Sequence, residues 1–116
     1  MKFMYLRDDK DQLIGCLAMA TNRSDIGSVT YYQLSVSHPN DLFSKSMARK
    51  IAEGRLNKTP LYVCGERYSS THEITKAVMK NIIDIGNLSE AKNTYKNKMP
   101  NRAVKAAKIW LAKFAG

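Results

Sequence analysis

Residues 13–20, Leu-Ile-Gly-Cys-Leu-Ala-Met-Ala, are apolar at nearly every position. A strand with one wet face alternates apolar and polar side chains, whereas a run like this one is expected to be buried on both faces. It therefore predicts a central strand and limits the chain to folds with a covered sheet. Lys2–Arg7, short and aromatic, predicts a strand before it. Asp8-Asp9-Lys10-Asp11 predicts the turn between them, because Asp tolerates turn geometry. A second turn is expected at 22–28, and 29–37 alternates. Thr30, Tyr32, Leu34 and Val36 point one way. Val29, Tyr31, Gln33 and Ser35 point the other way and, being mostly polar, are expected to face solvent. Short turns between three strands predict an antiparallel meander.

The periodicity then changes to that of helices. Pro39-Asn40-Asp41 offers a break and capping side chains before a helix over 42–57. Its expected buried face carries Phe43, Met47 and Ile51, with Gly54 allowing close packing; Lys45, Arg49 and Glu53 take the other side. Leu61-Tyr62-Val63-Cys64 is β-prone and suits a fourth strand. Ser70-Thr71-His72-Glu73 fits a capping box. It opens a helix whose stripe of Ile74, Val78, Ile82 and Ile85 predicts the deepest burial, with Gly86 as its stop. A short helix over 89–97 and a last helix from Pro100 to Phe114 follow.

The expected fold is α+β: a three- or four-stranded antiparallel β-meander packed, on one face, against three to four α-helices. The 116 residues suit a single domain, 1–116, with an N-terminal sheet over 1–38 and a helical part over 41–116. No repeat or Pro/Gly/Ser linker divides it. No apolar run approaches the roughly 18–20 residues of a membrane span, and no secretory signal is expected. Two cysteines, Cys16 and Cys64, make no disulfide framework.

The net charge of +9 is unevenly spread. Residues 1–90 hold twelve basic and ten acidic side chains; residues 91–116 hold seven basic ones and no acid. Such asymmetry speaks of partners, here a polyanion or an acidic protein surface, with a solubilising lysine face as the plain alternative. On the last helix, Ala103, Ala107, Trp110, Leu111 and Phe114 share one arc of about a quarter-turn. That stripe is expected in the core, an exposed stacking platform being the other reading of Trp110. Arg102, Lys105, Lys108 and Lys113 occupy the opposite side. Ile109 projects among them, either as a lone exposed residue or as an apolar anchor in a contact site.

The expected binding residues are Lys96, Lys98, Arg102, Lys105, Lys108 and Ile109. A second basic edge of Lys45, Arg49 and Arg55 adjoins them only if the two helices lie near each other. Reversing Arg102 and Lys105 together is expected to remove binding and leave the thermal midpoint intact. The loop before the last helix mixes cations, amides and Tyr95, a composition that suits nucleic acid as well as a polar interhelical loop. Four to six phosphate contacts would give a log K against log salt slope of roughly −4 to −5.

Catalytic signatures are sparse. The chain has no Gly-rich phosphate loop, no G-x-S-x-G elbow and no His-rich metal spacing. A metal site from Cys16, Cys64, His38 and His72 would need long-range pairing of four single residues. Cys64 and His72 would form a thiolate pair only if folding joins them. No catalytic residue, metal or cofactor is expected.

Leu6-Arg7-Asp8, Ile14-Gly15-Cys16-Leu17-Ala18, the stretch from Tyr32 through His38-Pro39-Asn40-Asp41 to Lys45, and Ala48-Arg49-Lys50-Ile51-Ala52-Glu53-Gly54-Arg55-Leu56 carry a resemblance. Over about residues 6–57 the chain resembles small uncharacterised accessory proteins of tailed bacteriophages. The resemblance implies a setting, the cytoplasm of an infected bacterium, and action by binding; it transfers no active site. The expected function is inhibition of a host nucleoprotein or defence system, as an anti-CRISPR protein would act, through the basic C-terminal surface. The partner would be a host protein or nucleoprotein complex with an acidic surface, and no membrane. Direct DNA or RNA binding is the alternative, and a thiol- or metal-dependent enzyme the third reading.

Overall fold

The computed structural model describes residues 1–92 and 99–115, with backbone only over 89–92. Strands β1 (Lys2–Arg7), β2 (Leu13–Ser24) and β3 (Gly27–Val36) precede helix α1 (Lys45–Lys58). Strand β4 (Leu61–Gly65) and helices α2 (Thr71–Lys92) and α3 (Asn101–Phe114) follow. The four strands form one antiparallel sheet in the order β1-β2-β3-β4, so the fold is α+β. β4 rejoins the sheet from within the otherwise helical part of the chain, beside β3.

Local chemistry accounts for the turns. The Asp8 carboxylate accepts from the backbone N–H groups of Lys10 and Gln12, each at 2.9 Å, and Asp11 takes a positive φ of 62°. Asx bonding of this kind closes the β1–β2 hairpin, as four clustered polar residues predict. The β2–β3 turn is tighter than the sequence suggests. Ser24 pairs with Gly27, so only Asp25 and Ile26 lie between the strands, and β2 runs four residues beyond its apolar stretch.

Helices cover both faces of the sheet, not one. Leu17, Met19, Tyr32 and Leu34 pack beneath α2 and α3, against Val78, Met79, Ile82 and Ala107. Cys16 and Ala18 pack on the other face beneath Ala48, Ala52 and Leu56 of α1. The doubly apolar run of β2 is the cause: with both alternate sets apolar, each face needs a cover. Ser35, expected in solvent, is consequently buried under α1, where its hydroxyl donates to the Ala48 carbonyl at 2.8 Å.

Helix α1 departs from expectation in start, cap and buried face. It begins after Ser44, whose hydroxyl accepts from the Met47 N–H, rather than after Asn40-Asp41. Its buried residues are Ala48, Ala52 and Leu56, while Met47 and Ile51 are exposed. Small residues on the sheet, Cys16 and Ala18, select small residues on the helix, so the alanine stripe outcompetes the bulkier one for contact. Gly54 makes no close approach, since a Cβ there would find nothing within 4 Å.

Helix α2 opens on the expected Ser70 cap, but the Glu73 side chain reaches the Ser70 hydroxyl where a capping box engages the cap backbone N–H. Glu73 N–H donates to the Ser70 hydroxyl at 3.1 Å, and that hydroxyl donates to the Glu73 carboxylate at 3.3 Å. Ile74, Val78, Met79 and Ile82 are buried, as the stripe predicts. The helix does not stop at Gly86 but continues to Lys92, so residues 89–92 of the separate helix expected over 89–97 are the end of α2; residues 93–97 lie outside the described residues. Gly86 is a crossing point: a Cβ would lie 2.5 Å from Val104 Cγ2 of α3. On α3, Ala103, Ala106 and Ala107 are buried and Trp110 and Leu111 half-buried, but Phe114 is exposed.

Candidate functional site

The structure settles how the two basic elements stand relative to β1. Among the described residues β1 pairs with β2 alone, so it is an edge of the open sheet. Its side chains alternate between the two helical layers. Phe3 and Tyr5 pack with the α1 layer; Met4 and Leu6 pack with the α2/α3 layer.

On the α1 side, Lys45 Nζ lies 5.2 Å from the centre of the Tyr5 ring, and the Arg49 guanidinium lies 4.4 Å from that of Phe3. Cations at these distances are held by the ring quadrupole while their hydrogen-bonding edges stay available. Phe43 meets Tyr5 edge-on at 6.2 Å and fixes its ring. Arg55 does not join them. Its guanidinium donates to the Leu34 carbonyl at 2.9 Å, two strands from β1, and is a tie between α1 and β3.

On the α3 side, a groove of about 280 Å³ runs along β1. Met4, Tyr5, Leu6 and Arg7 form one wall, and Ile109, Trp110 and Phe114 form the other. A second groove of about 450 Å³ continues it toward the β1–β2 turn, with Asp8 and Asp9 facing Arg102, Lys105 and Lys108. Ile109 lines both grooves.

The predicted binding residues fall into three groups. Lys105 and Lys108 are exposed, and among the described residues neither enters an ion pair. Ile109 is half-buried as the ridge between the grooves. Arg102 is different: it is half-buried and its guanidinium donates to the Ser37 carbonyl, with the Ser37 hydroxyl at 3.5 Å. It ties α3 to the end of β3, so reversing its charge would not leave the thermal midpoint intact. Losing a charged hydrogen bond of this kind costs about 1.5–3 kcal/mol. Lys96 and Lys98 lie outside the described residues.

Sequence reasoning missed the β1 residues and placed Phe114 in the core. A signal for β1 was present: the first strand of an open meander is an edge. Lys113 is also part of this region, 3.7 Å from the Asp11 carboxylate, which Arg7 approaches at 3.9 Å. The acidic turn thus sits among cations from β1 and α3.

The groups considered for catalysis lie in different parts of the fold. His72 stacks on Trp110 with ring centroids 5.6 Å apart. Cys16 is buried and its thiol pKa is pushed up by burial, with the nearby Arg49 charge pulling the opposite way. Cys64 is exposed on β4. Among the described residues, no group of three His, Cys, Asp or Glu side chains is placed to hold a metal ion. Among the same residues no helix is long and apolar enough to cross a membrane. No protein family, curated protein or solved structure matches the chain.

Proposed function

We propose that this chain is a non-enzymatic accessory protein of the bacteriophage type that acts by contact in the host cytoplasm. It inhibits a host nucleoprotein or defence complex, in the manner of an anti-CRISPR protein, by docking its cationic surface on an acidic protein face. The observation that carries the reading is the placement of Lys45 and Arg49 of α1 on the rings of the edge strand β1, with Lys105 and Lys108 of α3 beside the adjoining β1–β2 turn. Charges along one edge and its adjoining turn make a surface that steers an anionic partner and fixes its orientation.

The acidic turn favours a protein over bare nucleic acid as that partner. Asp8 and Asp9 face the α3 cations across the second groove, where a continuous phosphate track would meet like charge. A folded protein can match a mosaic of both signs.

Affinity capture from bacterial lysate, with and without nuclease, tests this reading. The expected result is a discrete protein complex that survives nuclease and is lost with the pair Lys105→Glu and Lys108→Glu. Capture that disappears with nuclease would instead assign direct DNA or RNA binding. A captured complex indifferent to the lysine pair would overturn the surface.

A further inference from the structure

We propose that the outer edge of β1 is a strand-addition site for an extended segment of a partner protein in which apolar and acidic residues alternate. The proposal rests on the docking reading above and specifies its partner. Three observations carry it. First, β1 is an edge strand, so every second residue directs its backbone N–H and C=O away from β2. Second, four consecutive β1 residues line the groove beside α3, although alternate side chains point to opposite faces. A groove that meets all four follows the strand's edge, not one of its faces. Third, the two sides of that edge differ in chemistry. The α3 side offers Ile109, Trp110 and Phe114, the last exposed despite its size. The α1 side offers Lys45 and Arg49, seated on the rings of Tyr5 and Phe3.

An added strand presents successive side chains to opposite faces, as β1 does. Its apolar residues would enter the groove against Ile109 and Trp110, and its acidic residues would meet Lys45 and Arg49. A second copy of this chain is a poor occupant. Pairing β1 with its own copy would bring Lys45 and Arg49 of both copies to one seam, where like charges repel. Bare nucleic acid offers no strand backbone to extend the sheet.

The test uses the chain itself and the peptide acetyl-Glu-Val-Glu-Leu-Glu-amide, followed by the emission of Trp110, the chain's single tryptophan. Saturable binding is expected, weakening with salt, and the same peptide with Lys in place of Glu should bind at least about tenfold more weakly. N-methylation distinguishes strand addition from simple adhesion, since only alternate amides of an added strand face β1. Methylating one alternate set should abolish binding while methylating the other leaves it largely intact. Ile109→Asp should weaken binding about tenfold or more without lowering the thermal midpoint, because its side chain lines grooves and not the core.

No binding of the acidic peptide at millimolar concentration, or equal binding of both methylated forms, overturns the proposal. In the lysate experiment, nuclease-resistant capture unchanged by Ile109→Asp overturns strand addition while leaving the docking reading in place. Absence of any nuclease-resistant complex with the wild-type chain overturns the docking reading, whatever the peptide does.

Discussion

The two faces of one sheet are built on different scales. Beneath α2 and α3 the interface is made of large residues, with Leu17, Tyr32, Leu34, Met79 and Ile82 fully buried. Beneath α1 the buried members are Cys16, Ala18, Ala48, Ala52 and Leu56, with the rings of Phe3, Tyr5 and Phe43 only partly buried against them. Adjacent positions of β2 feed both. The large face removes the most apolar area from water, so the greater share of stability should reside there. The small face buries less and has another consequence: it brings α1 near enough for Lys45 and Arg49 to lie on the rings of β1. One side of the sheet holds the fold together, and the other positions charge.

Cavity formation should separate the faces most clearly. Ile82→Ala, at a fully buried position on the large face, should destabilise by about 2–5 kcal/mol in chemical denaturation. Ala52→Leu on the small face should cost about 1–3 kcal/mol through overpacking, and should also displace the α1 cations. If Ala52→Leu proved as stable as wild type, the small face would be loosely packed and the contrast would collapse.

The two helical glycines sharpen the same comparison, with opposite signs. Gly86→Ala should destabilise by about 1–3 kcal/mol, because the added methyl meets Val104 of α3. Combining it with Val104→Ala should recover part of the loss, which a double-mutant cycle would measure. Gly54→Ala adds a methyl to open space on α1 and should stabilise by about 0.5–1 kcal/mol.

Alkali should act on a buried group of each face, with a smaller effect. Tyr32, on the large face, has its phenol pKa raised above 10.0 by burial, and its hydroxyl bonds to the Asn81 side chain. A folded-state pKa above the unfolded one means that the folded chain binds more protons at high pH. Its contribution is therefore intact below the unfolded value and is lost as pH rises beyond it toward the folded one. Cys16 on the small face follows the same sign, above 9.0. Tyr32→Phe should cost about 1 kcal/mol at neutral pH by losing one hydrogen bond. It should also flatten the fall in thermal midpoint above pH 10, and an unchanged alkaline profile would show that Tyr32 does not govern it.

Residues that act through their immediate neighbours in sequence were readable in advance. The Asp8 turn, the Ser70 N-cap and the Ile74–Val78–Ile82 stripe each depend on spacings of a few residues, and each formed as expected. The errors fall where two elements compete. Met47 and Ile51 make a more hydrophobic stripe than Ala48 and Ala52, but the sheet beneath is flush with small side chains and accepts the smaller stripe. Gly86 has the composition of a helix stop, yet the approach of Val104 makes it a crossing point. Arg102 looked like one more surface cation until Ser37 came within its reach from 65 residues away.

The sequence by itself determined the strands, the meander, the doubly apolar character of β2 and the concentration of positive charge near the C-terminus. These follow from side-chain period and composition, which are local properties of the chain. Only the tertiary structure decided that α1 lies opposite α2 and α3, that Arg55 and Arg102 are ties, that Lys45 and Arg49 lie on β1 and that Lys105 and Lys108 flank the β1–β2 turn. Such placements depend on which helix face fits which sheet face, a matter of steric complementarity between residues far apart in sequence.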